Sequence, residues 1–270
     1  MLEALHYEFI QNAILAGVLT GIVCGALGSL VVVNRIVFIS GGIAHAAYGG
    51  IGLAVYLGIP FLAGTMGFTV AVAVIMALVV IKMKHRADTI IGALWAVGMA
   101  IGIILTDLTP GYNVDLISYL FGSILTVSRS DLYQMSLLCS IILFLVIFFY
   151  NDFLALSYDS EFAQLRGVPV KILYVLLMIL IAVSIVMVIR VVGMILVIAL
   201  LTIPPFIAEK YAESLGTMMF YSAGLAIAFS MAGIALSYGF NLTSGAAIIL
   251  VSGVAFFLSF LIGRKSSGRT

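Results

Sequence analysis

Long apolar runs dominate the sequence, and short polar segments separate them. A helix needs about 20 mostly apolar residues to cross a bilayer, whereas a barrel strand would alternate over about 10 residues. The continuous runs therefore predict an all-α membrane protein, a polytopic helical bundle of nine transmembrane helices in a single domain over residues 1–270. The predicted spans are 9–33, 38–58, 61–81, 89–108, 131–150, 171–189, 191–207, 215–238 and 245–262.

The seventh predicted span is the least regular of the set. It abuts the sixth at Arg190-Val191, and it contains the pair Pro204-Pro205. Because proline breaks or kinks a helix interior, this span is expected to be short or broken. An eight-span protein is the alternative if the segment is re-entrant.

Basic residues predict the orientation of the bundle. With the N-terminus outside and the C-terminus inside, all but two of the 12 Lys and Arg residues lie in inner loops. Arg129 and Arg190 are the exceptions. Trp95 and other aromatic residues near the span ends are predicted to sit at the bilayer interface.

Composition agrees with a membrane protein and excludes several functions. The chain is 64% hydrophobic and 9% charged, against roughly 25% charged residues in soluble domains. Its formal net charge of +1 gives no reason to expect a nucleic-acid partner. No GxxxxGK[ST] motif is present, so the chain is not expected to be an enzyme that hydrolyses ATP by itself.

Glycines recur every fourth residue in the first span, at Gly17, Gly21 and Gly25. Small residues at this spacing let two helix backbones approach closely within a bilayer. The three glycines are therefore predicted to be helix-packing residues.

The inner segment 151–171 contains the signals of a short helix near 159–167. Asp159 or Ser160 can cap its N-terminus, where Glu161 also suits the helix dipole. Gly167 is a natural stop.

Phe162 and Leu165 would share one face of this short helix. Two interpretations follow from this pattern alone. The helix either lies on the membrane surface or docks onto a cytoplasmic protein.

The outer segment 111–131 contains an apolar decamer that is too short to span. It predicts a half-helix that dips in from the outer face, with an interfacial helix as the alternative.

His45 is an imidazole placed among glycines and alanines near mid-membrane. It is either a neutral side chain bonded to a helix carbonyl or to Ser40, or a ligand on a transport pathway. The residues alone leave both readings open.

Five segments, in order along the chain, carry motifs shared with one known family. They are GALGSLVVVNRIVFISGGIAHA, YLFGSILTVSRSDL, YDSEFAQLRGVPV, RVVGMILVIALLTIPPFIA and LSYGFNLTSGAAIIL. Together they resemble the permease subunits of metal-importing ABC transporters of the zinc, manganese and iron type, the ABC-3 type. The resemblance extends over nearly the whole chain.

The resemblance implies a function and a set of partners. It implies a transmembrane permease that imports a divalent metal ion, with zinc or manganese first and iron next, by alternating access in a homodimer. The expected partners are a cytoplasmic ABC ATPase dimer, an extracytoplasmic metal-binding protein and the lipid of a prokaryotic inner membrane. No cofactor is expected to be bound permanently, because the metal is the cargo.

The resemblance also assigns site residues. The helix near 159–167 would be the coupling helix, and its ATPase-coupling residues would be Asp159, Ser160, Glu161, Ala163 and Gly167.

The metal pathway or gate would involve His45, Asn241 and Ser40. Two positions depart from the family pattern. Gly41 stands where the family often has an aspartate, and Asn241 stands where an acid is expected.

Two other functions remain open from the sequence. An ABC permease for a metal chelate would fit the missing carboxylate and the glycines near His45. An ATP-independent secondary transporter or channel would need acids within the membrane, whereas Asp107 and Glu209 lie at span ends.

Overall fold

Membrane-length helices account for most of the structure, a computed structural model that describes residues 7–83, 86–110, 122 and 124–261. Eight helices in this part of the chain are long and apolar enough to cross a membrane, and a ninth is shorter. The prediction of an all-helical bundle with eight to nine spans is confirmed. The α-helices are α1 (Glu8–Val33), α2 (Val37–Leu57), α3 (Phe61–Lys82), α4 (Ala87–Asp107), α5 (Arg129–Phe148), α6 (Tyr150–Tyr158), α7 (Ser160–Leu165), α8 (Val170–Val192), α9 (Met194–Glu209), α10 (Leu215–Phe240) and α11 (Ser244–Leu261).

The boundary between the sixth and seventh spans was expected at Arg190-Val191 and lies at Gly193, and the break expected at the prolines does not occur. Gly193 separates α8 from α9 with φ 82° and ψ 161°, a conformation that is essentially restricted to glycine. Pro204 and Pro205 lie inside α9, which continues through both. Neighbouring helices support a proline-containing helix in a membrane, and Pro205 lies against α1 at Gly28. The span is short, as predicted, and it is continuous over its 16 residues.

The helices differ strongly in how much surface they bury. Helices α1, α2 and α8 are mostly buried within this chain, whereas α4 and α5 expose most of their surface. Helix α1 packs against α9 and α10, and α2 packs against α3 and α4. A single chain therefore has an apolar core around α1, α2 and α8 and a wide apolar exterior suited to lipid or to another copy.

The glycine series of α1 faces α10. A Cβ on Gly17 would lie 3.0 Å from Met231 Cε, and one on Gly21 would lie 2.6 Å from Ile227 Cγ1. A Cβ on Gly25 would meet the backbone of Ala223. The absence of side chains along this stripe is what allows the two helices to come so close.

The predicted half-helix falls mostly outside the described residues, because residues 111–121 and 123 are among those the structure does not describe. The chain after Gly122 forms a 3₁₀ turn over Ile124–Thr126. The Ile124 N–H donates to Ser244 Oγ at 3.3 Å. Asn12 Nδ2 donates to the Val127 carbonyl at 3.1 Å. These two bonds tie the turn to α11 and to the start of α1.

Candidate functional site

His45 lies in the middle of α2 and faces α4. Its ring stacks on Trp95 with a centroid distance of 4.2 Å and an interplanar angle of 18°. The Nδ1 atom of His45 is buried and has no hydrogen-bond partner among the described residues. An unpaired buried polar atom costs free energy, so a partner from outside the single chain would stabilise this nitrogen.

The structure rules out Ser40 as the partner of this imidazole. Ser40 is 1% exposed, and its hydroxyl donates to the Val37 carbonyl at 2.8 Å. Ser40 is therefore a side chain bonded within its own helix. Its predicted place on the pathway stays a prediction.

Trp95 is placed differently from the sequence expectation. It lies nine residues into α4, away from the helix ends, and its Nε1 donates to Met99 Sδ at 3.2 Å. The indole covers one face of the His45 ring, and it does not lie at a helix end, where an interface anchor would be expected. Only the packing of α2 on α4 brings the two rings together, so neither residue's local sequence signals the contact.

Close backbone contact holds α2 and α4 in this register. A Cβ on Gly49 would lie 2.7 Å from the Gly98 carbonyl oxygen, and one on Gly98 would lie 3.0 Å from Ala46 Cα. Glycine at these positions removes the side chains that would separate the helices. The His45–Trp95 stack is thus set by rigid elements.

Open space lies beside Gly41, one helical turn before His45. Gly41 is buried, yet a Cβ added to it would have no neighbour within 4 Å outside its own helix backbone. The adjacent Gly42 differs, because its Cβ would lie 2.9 Å from Ile91 Cγ2. Since residues four apart share a helix face, the gap is on the side of α2 that bears His45.

Asn241 lies at the C-terminal end of α10, whereas His45 lies in the middle of α2. Asn241 ends α10 as an exposed residue in the left-handed conformation, with φ 52° and ψ 43°. His45 lies about 12 Å along α2 from its start, at 1.5 Å per residue. The asparagine therefore serves as the cap of α10, and its role on a pathway remains a prediction.

Carboxylates are confined to helix ends in the described part of the chain. Asp107 is the last residue of α4, Asp131 lies in the first turn of α5, and Glu209 is the last residue of α9. No group of three or more His, Cys, Asp or Glu residues that could hold a metal occurs among the described residues. His45 is the one histidine among the described residues, and it lies within a span.

Helix α7 lies within the predicted segment 159–167, and its two ends are well defined. Asp159 caps it, with Oδ1 accepting from the Phe162 N–H at 2.9 Å. Gly167 has φ 84°. Its N–H donates to the Gln164 carbonyl, while the Val168 N–H donates to the Ala163 carbonyl. These two bonds form a Schellman ending, which requires the left-handed glycine.

One side of α7 is buried and the other carries an apolar surface. Ala163 is 1% exposed, whereas Phe162 is 52% and Leu165 is 87% exposed. The Arg166 guanidinium lies 5.0 Å from the Phe162 ring centroid. We call Phe162, Leu165 and Arg166, together with the exposed Tyr158, the α7 patch. Ser160 and Glu161 form the exposed first turn beside it.

Comparisons with known proteins agree along almost the entire chain. The sequence model of the ABC 3 transport family matches residues 6–263. An uncharacterised membrane protein of Synechocystis is 51% identical over 98% of this chain and 94% of its own length. The manganese transport system membrane protein MntC of Listeria monocytogenes is 33% identical over 97% of this chain and 93% of its own length.

A solved structure shows the same fold. In the complex described as PsaBC from Streptococcus pneumoniae with Fab, one chain matches with a TM-score of 0.88 and 32% identity. The match covers 98% of the present chain and 95% of the other. By sequence and by fold, this multi-pass membrane protein belongs to the ABC 3 transport family.

Proposed function

We propose that the chain is the membrane permease subunit of an ATP-driven importer of a divalent metal ion. The observation that carries the choice of a metal is His45, whose unpartnered Nδ1 lies inside a span that also has open space at Gly41, one helical turn earlier. Imidazole is a common metal ligand. Relatives named for manganese transport support the same class of cargo. Zinc or manganese is the first candidate, and iron is the next.

His45 would act as a transit ligand or gate during alternating access in a homodimer. The ring is half-buried, so part of it lies on the surface of a single chain. A pathway between two copies would reach it there. A transit site must release its ion, so weak binding by few ligands is suitable. Asn241 would offer an amide oxygen nearer the outer end, and Ser40 would line the pathway on α2, five residues before His45.

Helix α7 would couple the permease to its ATPase. The α7 patch combines exposed apolar area with a cation, which is typical of a protein contact surface. Asp159 and Gly167 fix the two ends of the helix, and buried Ala163 seats it on the permease. Ser160 and Glu161 would lie at the contact. ATP hydrolysis would occur in the separate cytoplasmic ATPase dimer.

The remaining partners follow from the same proposal. An extracytoplasmic metal-binding protein would deliver the ion at the outer face, with the N-terminus of the permease outside and its C-terminus inside. A metal chelate is the alternative cargo, because Gly41 leaves room beside His45. An ATP-independent transporter is disfavoured because the described acids lie at helix ends.

Uptake in cells tests this proposal. An importer-deficient bacterium would express the chain with its ATPase and binding-protein partners, and radioactive zinc and manganese would be supplied without an organic chelator. We expect uptake of at least one metal, and its loss when the ATPase carries a disabled nucleotide site. Uptake that persists with the disabled ATPase would favour a secondary transporter, and uptake only with a chelator would favour the chelate.

A further inference from the structure

We infer that a hydrogen bond between Asn34 and Ser157 transmits movement from the ATPase contact at α7 to the start of α2. The inference rests on the proposed function, because it needs α7 to be the coupling helix. Asn34 and Ser157 act as positioning residues, since neither would touch the ion or the nucleotide. Their bond connects α6 to the three-residue turn 34–36 between α1 and α2.

Two side chains bridge the end of α1 to α6. Asn34 Nδ2 donates to Ser157 Oγ at 2.8 Å and to the Leu30 carbonyl, also at 2.8 Å. The Ser157 hydroxyl in turn donates to the Phe153 carbonyl at 2.7 Å. A backbone carbonyl of α1 is thus linked to a backbone carbonyl of α6. Among the described residues, no other side-chain hydrogen bond joins α6 or α7 to a membrane-length helix.

Helices α6 and α7 are directly connected. Only Asp159 separates them, and its carboxylate accepts from the Phe162 N–H of α7. Ser157 lies in the last turn of α6, next to the exposed Tyr158 of the α7 patch. Because so little chain lies between the two helices, a displacement of α7 would move Ser157 and pull on Asn34.

The turn that begins at Asn34 has a tightly bonded backbone. Arg35 has φ 58°, in the left-handed region that usually takes glycine. The Arg35 N–H donates to the Val32 carbonyl and the Ile36 N–H donates to the Val31 carbonyl, each at 3.0 Å. A non-glycine residue keeps this conformation only where its surroundings hold it. Since α2 begins directly after Ile36, a shift of Asn34 would move the start of α2 instead of being absorbed by a long loop.

The experiment compares Ser157→Ala with Ser157→Thr, because only threonine keeps a hydroxyl at this position. Ser140→Ala is the matched control, since the Ser140 hydroxyl also donates to a carbonyl four residues earlier but is exposed on α5. Each permease would be reconstituted in proteoliposomes with its ATPase and binding protein. Accumulation of radioactive zinc and manganese would be recorded together with ATP hydrolysis.

We expect Ser157→Ala to lower the metal accumulated per ATP hydrolysed by at least about twofold, as residues along a coupling network do. Ser157→Thr and Ser140→Ala should keep the wild-type ratio. Asn34→Ala should act like Ser157→Ala, and the double variant should lower the ratio no further, because both residues act through one bond. The affinity for the ATPase should stay the same, so a purely structural role would not produce this result.

Amide hydrogen exchange at residues 34–36 detects the transmission itself. Adding ATP to the assembled complex should change the exchange of this turn in the wild type and in Ser157→Thr, but not in Ser157→Ala. The same change in Ser157→Ala would overturn the inference, because the movement would then take another route, such as the chain into α8.

A wild-type ratio of metal to ATP in Ser157→Ala, or an equal loss in Ser140→Ala, would also overturn the inference and leave the proposed function standing. If the wild-type complex accumulated neither metal with ATP, the proposed function and this inference would be refuted together.

Discussion

His45 is held on one side by an aromatic ring and is open on another. The Trp95 ring covers one face of the imidazole at 4.2 Å, and Gly41 leaves a gap one turn earlier on α2. This arrangement limits how far the imidazole can turn while it keeps Nδ1 unpaired. In the proposed transit role, this one side chain would offer a nitrogen of defined position to the ion without enclosing it.

At the same scale, the glycines between α1 and α10 can be tested by one methyl group. Gly25→Ala places a Cβ against the Ala223 backbone, and such overpacking costs typically about 1–3 kcal/mol. We expect a lower thermal unfolding temperature in detergent. Gly224→Ala on α10 is the matched control, because no atom lies within 4 Å of its added Cβ. Equal stability of the two variants would contradict the close approach of α1 and α10.

Sequence reasoning identified His45 but not its neighbours. The residue stood out because an imidazole is rare in an apolar run, which is a local signal. The stacking of Trp95 on His45 depends on how α2 packs against α4, and so does the open space at Gly41. The local sequence around each residue does not reveal how the two helices are aligned. Asn241 ends α10 in a left-handed conformation that its sequence did not signal, and its place on the pathway stays a prediction.

At the scale of elements, the lengths of the spans were predictable from the sequence, whereas the effect of the two prolines in α9 was not. Apolar runs reveal the spans because lipid excludes unpaired backbone, so α1 begins at Glu8 where residue 9 was expected. The boundary between α8 and α9 was expected at Arg190-Val191 and lies at Gly193, whereas the break expected at Pro204 and Pro205 does not occur. Helix α9 remains helical through both prolines because neighbouring helices pack against it. The contact between Pro205 and Gly28 of α1 is one example.

Helix α7 gives the second prediction. Leu165 is 87% exposed, so Leu165→Ser should leave folding intact. If the α7 patch is the ATPase contact, the variant should bind the ATPase about tenfold more weakly, as a central apolar anchor does. This prediction is tested by measuring the affinity of the ATPase for the permease immobilised on a surface in detergent.

Leu242→Ser is the control for Leu165→Ser, because Leu242 is another exposed leucine and lies beyond the end of α10. Unchanged ATPase affinity in Leu165→Ser would favour the alternative in which α7 only rests on the membrane surface.

Lys210 links the ends of α9 and α11 and gives the third prediction. Its Nζ donates to the Ser259 carbonyl at 2.8 Å and to Ser259 Oγ at 2.9 Å. The same atom lies 4.5 Å from the Phe260 ring centroid. Lys210→Met should lower the free energy of unfolding by about 2 kcal/mol, because hydrogen bonds to a charged group are lost.

Thermal unfolding with Lys171→Met as control measures this effect, since Lys171 is exposed at the start of α8. Equal stability of the two variants would show that the Lys210 contacts contribute nothing to the bundle.

At the scale of the whole molecule, α9 decides the topology and gives the fourth prediction. Eight long spans with a ninth crossing at α9 place the termini on opposite sides, whereas eight crossings place them together. We expect the N-terminus outside and the C-terminus inside. A C-terminal green fluorescent protein should fluoresce in cells, and alkaline phosphatase fused at Asn241 should be active. Active phosphatase at the C-terminus would contradict this orientation.

Metal accumulation in a purified system tests the central claim most directly. Proteoliposomes would contain the permease with its ATPase, and the binding protein would deliver radioactive zinc or manganese on the side of the membrane opposite the ATPase. The account predicts ATP-dependent accumulation of at least one of these metals against its gradient and its loss in His45→Ala, with the assembled complex intact. Equal accumulation without ATP, or by His45→Ala, would contradict the account.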